Sequence, residues 1–277
     1  MPHTPPPAAA GSTPALLRMP GGAFVTLLPD RAALMRAAAE RIALLAQRAI
    51  SERGRFTWAL AGGSTPEQLY ALLAAPDYRE RIDWQRVHVF FGDERCVAPD
   101  HHQSNYRLAR QTLLELVAPP VHNVHRMRGE LEPSAGADDY QRELERVFAP
   151  AAGEGVARFD SILLGMGADG HTASLFPASP ALQETQRWVS VSHATGLGAT
   201  SVETRLTLTL PVLNAARDVM FLVAGADKAT RLAEVLLGQH PGPPFPAELV
   251  RPASGAHWFV DGLAGALIAT SPLSANE

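Results

Sequence analysis

FTWALAGGSTPEQLYALLA, residues 56–74, joins a short apolar run to a glycine-rich turn and then to a helical sequence. The run at 56–61 is typical of a buried strand, and residues 67–74 are rich in good helix formers. Glycines at such a junction let backbone N–H groups approach an anion, and the helix N-terminus adds free donors and the positive end of its dipole. The segment therefore predicts one strand–turn–helix unit of an α/β fold.

The turn inside this unit has the composition of a phosphate-binding loop. Gly62 and Gly63 leave room for an anion beside the backbone. Ser64 and Thr65 add hydroxyl donors, and Pro66 suits the first turn of a helix. Two interpretations stay open, a phosphate site and an ordinary tight turn capped by Ser or Thr. The turn is not a P-loop, because it lacks the Gly-Lys-Ser/Thr ending.

Apolar runs of strand length alternate with helical sequences on both sides of this unit. The predicted strands cover residues 23–28, 56–61, 87–91, 159–164, 188–192, 205–210, 219–224 and 257–260. The predicted helices cover residues 31–53, 67–74, 106–116, 135–148, 211–216 and 227–237. Asp30 and Gly54 are suited to cap the first of these helices. Strands that alternate with helices predict an α/β fold with a mainly parallel sheet.

No linker divides the chain, although 277 residues would suggest two domains at about 150 residues each. We expect a flexible Pro/Ala-rich leader over residues 1–22, one α/β domain over residues 23–270, and a tail over residues 271–277. The leader has no basic region followed by an apolar one, so it does not resemble a signal peptide.

The composition excludes several classes of protein. The 24 basic and 28 acidic residues give a net charge of −4, which argues against a protein that works mainly by nucleic-acid electrostatics. No apolar run approaches the 18 or so residues of a membrane span. The single cysteine, Cys96, excludes a disulfide within the chain and indicates a reducing compartment. With no specific partner for its thiol, we interpret Cys96 as incidental to the chemistry.

A polar segment follows the predicted strand at 87–91, where open α/β sheets bind their ligands. Asp93 and Glu94 could hydrogen-bond sugar hydroxyls, and Arg95 could clamp an oxyanion. A solvated loop with a local salt bridge would explain the same three residues. His101 and His102, further along, are more typical of a surface loop than of a metal site.

The segment LGMGADGHTASLFP, residues 164–177, follows another predicted strand. Its Gly-x-Gly-x-x-Gly spacing matches the dinucleotide fingerprint, but Pro177 and Pro180 cut the following helix too short for nicotinamide binding. His171 is a candidate general base, and Asp169 beside it could fix its tautomer. A histidine that caps a short helix is the alternative interpretation.

Two basic residues near predicted strand ends could add positive charge to a phosphate. Arg205 opens the predicted strand at 205–210, and Lys228 lies in GADKA at 225–229. A strand-face arginine and a first-turn lysine are the simpler account of either residue taken alone.

Five motifs, in this order, resemble the 6-phosphogluconolactonase family, which belongs with the glucosamine-6-phosphate deaminase and isomerase group. The resemblance covers about residues 22–265 of the chain. Its motifs are LAGGSTP (60–66), FFGDERCV (90–97) with HHQSN (101–105), LGMGADGHTASLFP (164–177), RLTLTLPVLNAA (205–216) and GADKA (225–229).

The resemblance implies hydrolysis of 6-phospho-D-glucono-1,5-lactone to 6-phospho-D-gluconate, a step of the oxidative pentose phosphate pathway. It implies a three-layer α/β/α fold with a mainly parallel sheet of the NagB/RpiA-like type, and neither a metal nor an organic cofactor. The expected partner is the small-molecule substrate, with no nucleic acid and no membrane. We expect a cytoplasmic protein that is a monomer or a weak homodimer.

The same resemblance, combined with the residue chemistry, assigns roles. His171 removes a proton from the attacking water and returns it to the ring oxygen, while Asp169 orients His171. Arg95, or the backbone N–H groups of residues 165–170, stabilises the oxyanion. The predicted substrate-binding residues are Gly62, Gly63, Ser64, Thr65, Asp93, Glu94, Asn105, Arg205 and Lys228. Two rivals stay open: a sugar-phosphate isomerase or deaminase, and a non-catalytic sugar-phosphate sensor.

Overall fold

A mainly parallel sheet is the centre of the computed structural model, which describes residues 15–148, 155–194 and 204–269. The strands in these ranges are β1 (Ala15–Arg18), β2 (Phe24–Leu28), β3 (Phe56–Leu60), β4 (Val87–Phe91), β5 (Asp93–Arg95), β6 (Ser161–Leu164), β7 (Val189–His193), β8 (Thr204–Leu208), β9 (Val219–Val223) and β10 (His257–Asp261). The helices are α1 (Arg31–Arg53), α2 (Ser64–Ala74), α3 (Pro76–Arg79), α4 (Asn105–Ala109), α5 (Glu115–Val117), α6 (Pro133–Phe148), α7 (Leu210–Ala215), α8 (Ala229–Leu237) and α9 (Ala266–Ala269).

Seven strands form this sheet in the order β1-β2-β10-β9-β6-β3-β4. The pairs from β2 to β4 are all parallel, and β1 is antiparallel to β2. Every residue of β3, β6 and β9 is buried, as expected for parallel strands that are covered on both faces. Helices flank the sheet, which confirms the predicted three-layer α/β/α fold.

Helix α1 has the bounds that the sequence predicts. The side chain of Asp30 accepts the backbone N–H of Ala33 at 2.7 Å, and the helix ends where the N–H of Gly54 donates to Ile50 at 2.9 Å. Its buried stripe is rich in alanine, and α1 contacts β2, β3 and β10. Small side chains let the helix lie close against the sheet, so both the caps and the packing face are encoded locally.

A second sheet was not predicted. Strands β5, β8 and β7 form an antiparallel three-stranded sheet, in which Asp93 lies opposite Thr207 and Arg95 lies opposite Arg205. Strand β5 has only three residues, all polar, and so it has no periodicity to detect. It pairs with β8, which lies more than a hundred residues later in the sequence. This pairing fixes the position of residues that we predicted to form a polar loop, and they make up one wall of the site.

The structure of residues 15–18 differs from the prediction of a flexible leader over residues 1–22. They form β1, whose four residues pair with β2 through a turn at 19–22. Met19 in this turn is buried in the core. Backbone pairing and the burial of Met19 thus order a segment whose composition is that of a linker. Residues 1–14 and the predicted tail lie outside the described residues, as does most of the loop at 193–201.

A pair of histidines, His88 and His125, lies at the edge of the sheet, where His88 belongs to the edge strand β4. Nδ1 of His88 lies 3.1 Å from Nε2 of His125, and Nδ1 of His125 lies 2.6 Å from Oε1 of Glu143. Burial lowers the pKa of His88 to about 4, and the nearby His125, Arg55, His122 and Arg146 lower it further. Burial also lowers the pKa of His125, although Glu143 opposes that change. The folded state therefore favours the neutral pair.

This pair predicts a loss of stability in mild acid. Below pH 6.5 the unfolded chain takes up a proton that folded His88 resists, so the free energy of unfolding falls as the pH drops towards 4. Because His88 is only half-buried, we expect His88 to contribute about 1 kcal/mol to this fall. Urea unfolding between pH 4 and pH 7 measures it.

The variant His88→Gln should show a flatter pH dependence in this window than the wild type. His193→Gln is the matched control, because His193 is exposed at the end of β7. Equal slopes for His88→Gln and the wild type would contradict the assignment.

Candidate active site

A cavity of about 170 Å³ opens at the carboxyl ends of β3, β4 and β6, which are neighbours in the sheet. Open α/β sheets bind ligands at this edge. Half of the predicted site residues line the cavity, namely Gly62, Asp93, Arg95, Asn105, His171 and Arg205. The structure thus brings together residues that lie more than 140 positions apart in the sequence.

Asp169 and His171 form a close pair on the loop after β6. Nδ1 of His171 lies 2.6 Å from Oδ1 of Asp169, and the same oxygen accepts the backbone N–H of His171 at 3.1 Å. Burial alone would raise the pKa of Asp169, but the hydrogen bonds and charge of His171 outweigh it and lower that pKa. The ionised carboxylate accepts a hydrogen bond from Nδ1, which leaves Nε2 as the basic nitrogen of the neutral ring.

The glycines of this loop shape a turn around the pair. A Cβ on Gly167 would collide with Nδ1 of His171, so only glycine fits there. The N–H of Gly167 donates to the carbonyl of His171 at 2.9 Å, and the N–H of Gly170 donates to the carbonyl of Gly167 at 3.1 Å. Both amides are therefore used inside the loop, which corrects our inclusion of them among the oxyanion donors. Gly167, the central glycine of the three, thus serves the Asp169–His171 pair.

Asp93 is buried on the opposite wall and fixed from two sides. Its Oδ2 accepts the hydroxyl of Ser174 at 2.6 Å, and its Oδ1 accepts Nδ2 of Asn105 at 3.1 Å. Oδ1 of Asn105, a residue that lines the cavity, is buried and has no hydrogen-bond partner among the described residues. A Cβ on Gly62 would collide with this amide, so Gly62 serves close packing. Sequence reasoning missed Ser174, because nothing in the motif at 164–177 distinguishes its hydroxyl.

Glu94 lies behind this wall and not in the cavity. Its carboxylate accepts the backbone N–H groups of Arg95, Asn105 and Tyr106 at 2.8 Å each and the hydroxyl of Ser104 at 2.9 Å. Burial raises the pKa of Glu94, and these four donors oppose that change. The structure gives Glu94 a supporting position between β5 and α4, in place of the substrate contact that we predicted.

Arg95 and Arg205 lie opposite each other on β5 and β8 and line the cavity together. Nη1 of Arg95 donates to the carbonyl of Gln103 at 2.6 Å, and the guanidinium of Arg205 lies 5.9 Å from the ring centre of Phe176. The Nε atoms of both arginines are buried and have no hydrogen-bond partner in the part of the chain that the structure describes. Burial lowers the pKa of Arg205, but Asp93 opposes this, and an arginine stays charged at neutral pH. The wall therefore offers two fixed positive charges.

The predicted phosphate residues do not line this cavity. Gly63, Ser64 and Thr65 begin α2, which starts three residues earlier than predicted, and Nζ of Lys228 lies 3.3 Å from Oδ2 of Asp227. Strands β3 and β9 flank β6, so both groups follow strands at the same edge of the sheet. Lys228 is also the only lysine among the 24 basic residues of the sequence, a signal that our sequence analysis overlooked.

Cys96 follows Arg95 directly but does not line the cavity. Burial, with the charges of Glu94 and Glu132, raises the pKa of its thiol to about 11, so the thiolate is scarce at neutral pH. Among the described residues, no group of three or more His, Cys, Asp or Glu could hold a metal ion. Nor does any helix in these ranges have the length and apolarity to cross a membrane.

Comparisons with known proteins agree with the motifs. The sequence model of the family "Glucosamine-6-phosphate isomerases/6-phosphogluconolactonase" matches residues 29–259. A 6-phosphogluconolactonase of Nostoc sp. is 40% identical over 243 residues, which cover 87% of this chain and 97% of that protein. One of Synechocystis sp. is 43% identical over 219 residues, which cover 79% of this chain and 87% of that protein.

Solved structures give the same result. The 6-phosphogluconolactonase of Trypanosoma cruzi matches with a TM-score of 0.77 and 28% identity, covering 87% of this chain and 95% of that one. Sequence motifs, fold and site geometry thus converge. The chain belongs to the glucosamine-6-phosphate isomerase/6-phosphogluconolactonase family.

Proposed function

We propose that this protein hydrolyses 6-phospho-D-glucono-1,5-lactone to 6-phospho-D-gluconate. The observation that carries the proposal is the Asp169–His171 pair, because His171 lines the same cavity as two half-buried arginines. A lactone ring needs a base to activate water and positive charge to stabilise an oxyanion. The lactonase names of relatives at 40% and 43% identity support the same activity.

In the proposed reaction, Nε2 of His171 takes a proton from water while the water oxygen bonds to the lactone carbonyl. Asp169 stabilises the imidazolium that forms. The carbonyl oxygen becomes an oxyanion beside Arg95 and Arg205. When the bond to the ring oxygen breaks, His171 returns the proton to that oxygen, which leaves an open-chain acid. Such general acid–base catalysis contributes about 10²–10⁴ in rate.

The sugar hydroxyls face the wall of Asp93 and Asn105 in this proposal. Each oxygen of Asp93 accepts one hydrogen bond within the protein and keeps a further lone pair. Asn105 lines the cavity beside Asp93 and holds Oδ1 of Asp93 in place. This wall therefore supplies hydrogen-bond acceptors for the hydroxyl groups of the sugar.

The phosphate end is assigned to Gly63, Ser64, Thr65 and Lys228. Helix α2 has eleven residues, so its N-terminus carries free N–H donors and a dipole that favours an anion. The single lysine supports a specific task for an ammonium group, because arginine occupies the other basic positions and differs in shape and hydration. The cytoplasmic location and the state of monomer or weak homodimer stay predictions.

The variant His171→Ala should lower kcat by about 100-fold or more and leave KM within about threefold, because it removes the base but not the binding groups. The measurement is lactone hydrolysis on freshly generated substrate, with the spontaneous rate subtracted. His122→Ala is the control, since His122 is exposed and remote from the cavity lining.

An unchanged kcat in His171→Ala would refute the role of His171. A wild-type protein no faster than the spontaneous reaction would refute the activity itself. Ammonia release from glucosamine 6-phosphate would point to the deaminase alternative, and lactone binding without turnover would point to a sensor.

Lys228→Met should raise KM by about tenfold and leave kcat within about twofold, because it removes charge at the phosphate and not at the carbonyl. D-glucono-1,5-lactone, which lacks the phosphate, provides an internal control: kcat/KM on this substrate should be the same in the wild type and the variant. Arg48→Met, at an exposed position of α1, controls for the loss of one positive charge. An equal loss on both lactones would contradict the phosphate assignment.

A further inference from the structure

The loop that carries Asp169 is held from outside the cavity. The carbonyl of Ala168, which forms the peptide bond to Asp169, accepts Nε of Arg231 at 3.0 Å. The carbonyl of Gly170, which forms the peptide bond to His171, accepts the N–H of Ala247 at 3.0 Å. The residues on both sides of Asp169 are thus bonded to residues of the chain after β9.

Phe245 joins these two contacts. The guanidinium of Arg231 lies over the Phe245 ring, 4.1 Å from its centre. The same ring packs against Gly170, so closely that a Cβ on that glycine would lie 2.8 Å from it. Arg231 therefore contacts Ala168 directly and is connected to Gly170 through the Phe245 ring.

The guanidinium of Arg231 is planar, and two hydrogen bonds fix its position. Nη1 donates to Glu234 at 2.7 Å, one turn further along α8, while Nε donates to the loop. His240 also packs against the Phe245 ring, with its ring centre 4.5 Å away and its Nε2 3.0 Å from Glu248. A lysine would keep the charge but lose the stacked plane and the Nε donor.

We infer that Arg231 is a positioning residue that keeps the carboxylate of Asp169 on Nδ1 of His171 by holding Ala168 and Gly170, the residues on both sides of Asp169. The inference rests on the proposed function for its kinetic consequence. It extends the active site to α8 and to the segment 238–249, which none of the five motifs contains.

Arg231→Met should lower kcat for the lactone by about tenfold with KM within about twofold, because small misplacements of a catalytic group cost rate and not substrate binding. Arg231→Lys should stay impaired. Arg251→Met is the matched control and should keep the wild-type kcat. Arg251 makes the same kind of bond, Nε to the carbonyl of Glu248 at 3.0 Å, and is exposed.

A second measurement monitors the hydrogen bond between Asp169 and His171 in the absence of substrate. In ligand-free protein labelled with ¹⁵N, the Nδ1–H signal of His171 should be protected in the wild type and in Arg251→Met, and should broaden or exchange faster in Arg231→Met. Thermal unfolding of each variant checks that the fold is retained.

The outcomes separate this inference from the proposed function. If the wild type does not hydrolyse the lactone, the proposed function fails and the His171 signal alone decides the inference. A wild-type kcat in Arg231→Lys would show that charge near the loop suffices, which overturns the inference. An unchanged His171 signal in Arg231→Met overturns it as well, whatever happens to kcat or to thermal stability.

Discussion

The contact between Asp169 and His171 is the interaction on which the rest of the site depends. Its 2.6 Å separation sets which ring nitrogen is basic, and it exists only because the loop after β6 turns tightly enough to bring the two side chains together. Gly167 permits that turn, and bonds within the loop use the amides of Gly167 and Gly170. The buried strand β6 fixes where the loop begins. The position of the Asp169–His171 pair therefore depends on the loop, and the position of the loop depends on the sheet.

Ser174 connects the opposite wall to this loop through its hydroxyl and its backbone N–H. Ser174, three residues after His171, donates to Asp93 at 2.6 Å, and its N–H donates to Oγ1 of Thr207 on β8 at 3.2 Å. The small antiparallel sheet is thus connected to the loop that carries His171. Glu94 secures the wall from behind by bonding to four donors. The site is a pair of rigid walls, and such preorganisation is what electrostatic catalysis requires.

The sequence predicts correctly those helices and strands whose signals lie in the same residues or directly beside them. The caps of α1 are single residues next to the helix, and the apolar strands carry their own burial pattern, so both were found from sequence. Strand β5 was missed because three polar residues become a strand only by pairing with β8. Glu94 was assigned to substrate for a related reason: a carboxylate that bonds to backbone N–H groups looks the same in sequence as one that bonds to a ligand. The Arg231 contact depends on α8 packing beside a loop sixty residues earlier, which no periodicity encodes.

The most direct test of the central claim is the steady-state kinetics of Asp169→Asn on 6-phospho-D-glucono-1,5-lactone. The substitution keeps the size of the side chain but removes the charge that fixes the tautomer of His171. The account predicts a fall in kcat of about 100-fold or more, with KM changed by less than about threefold. A kcat within about twofold of the wild type would contradict the claim that the Asp169–His171 pair is the catalytic unit.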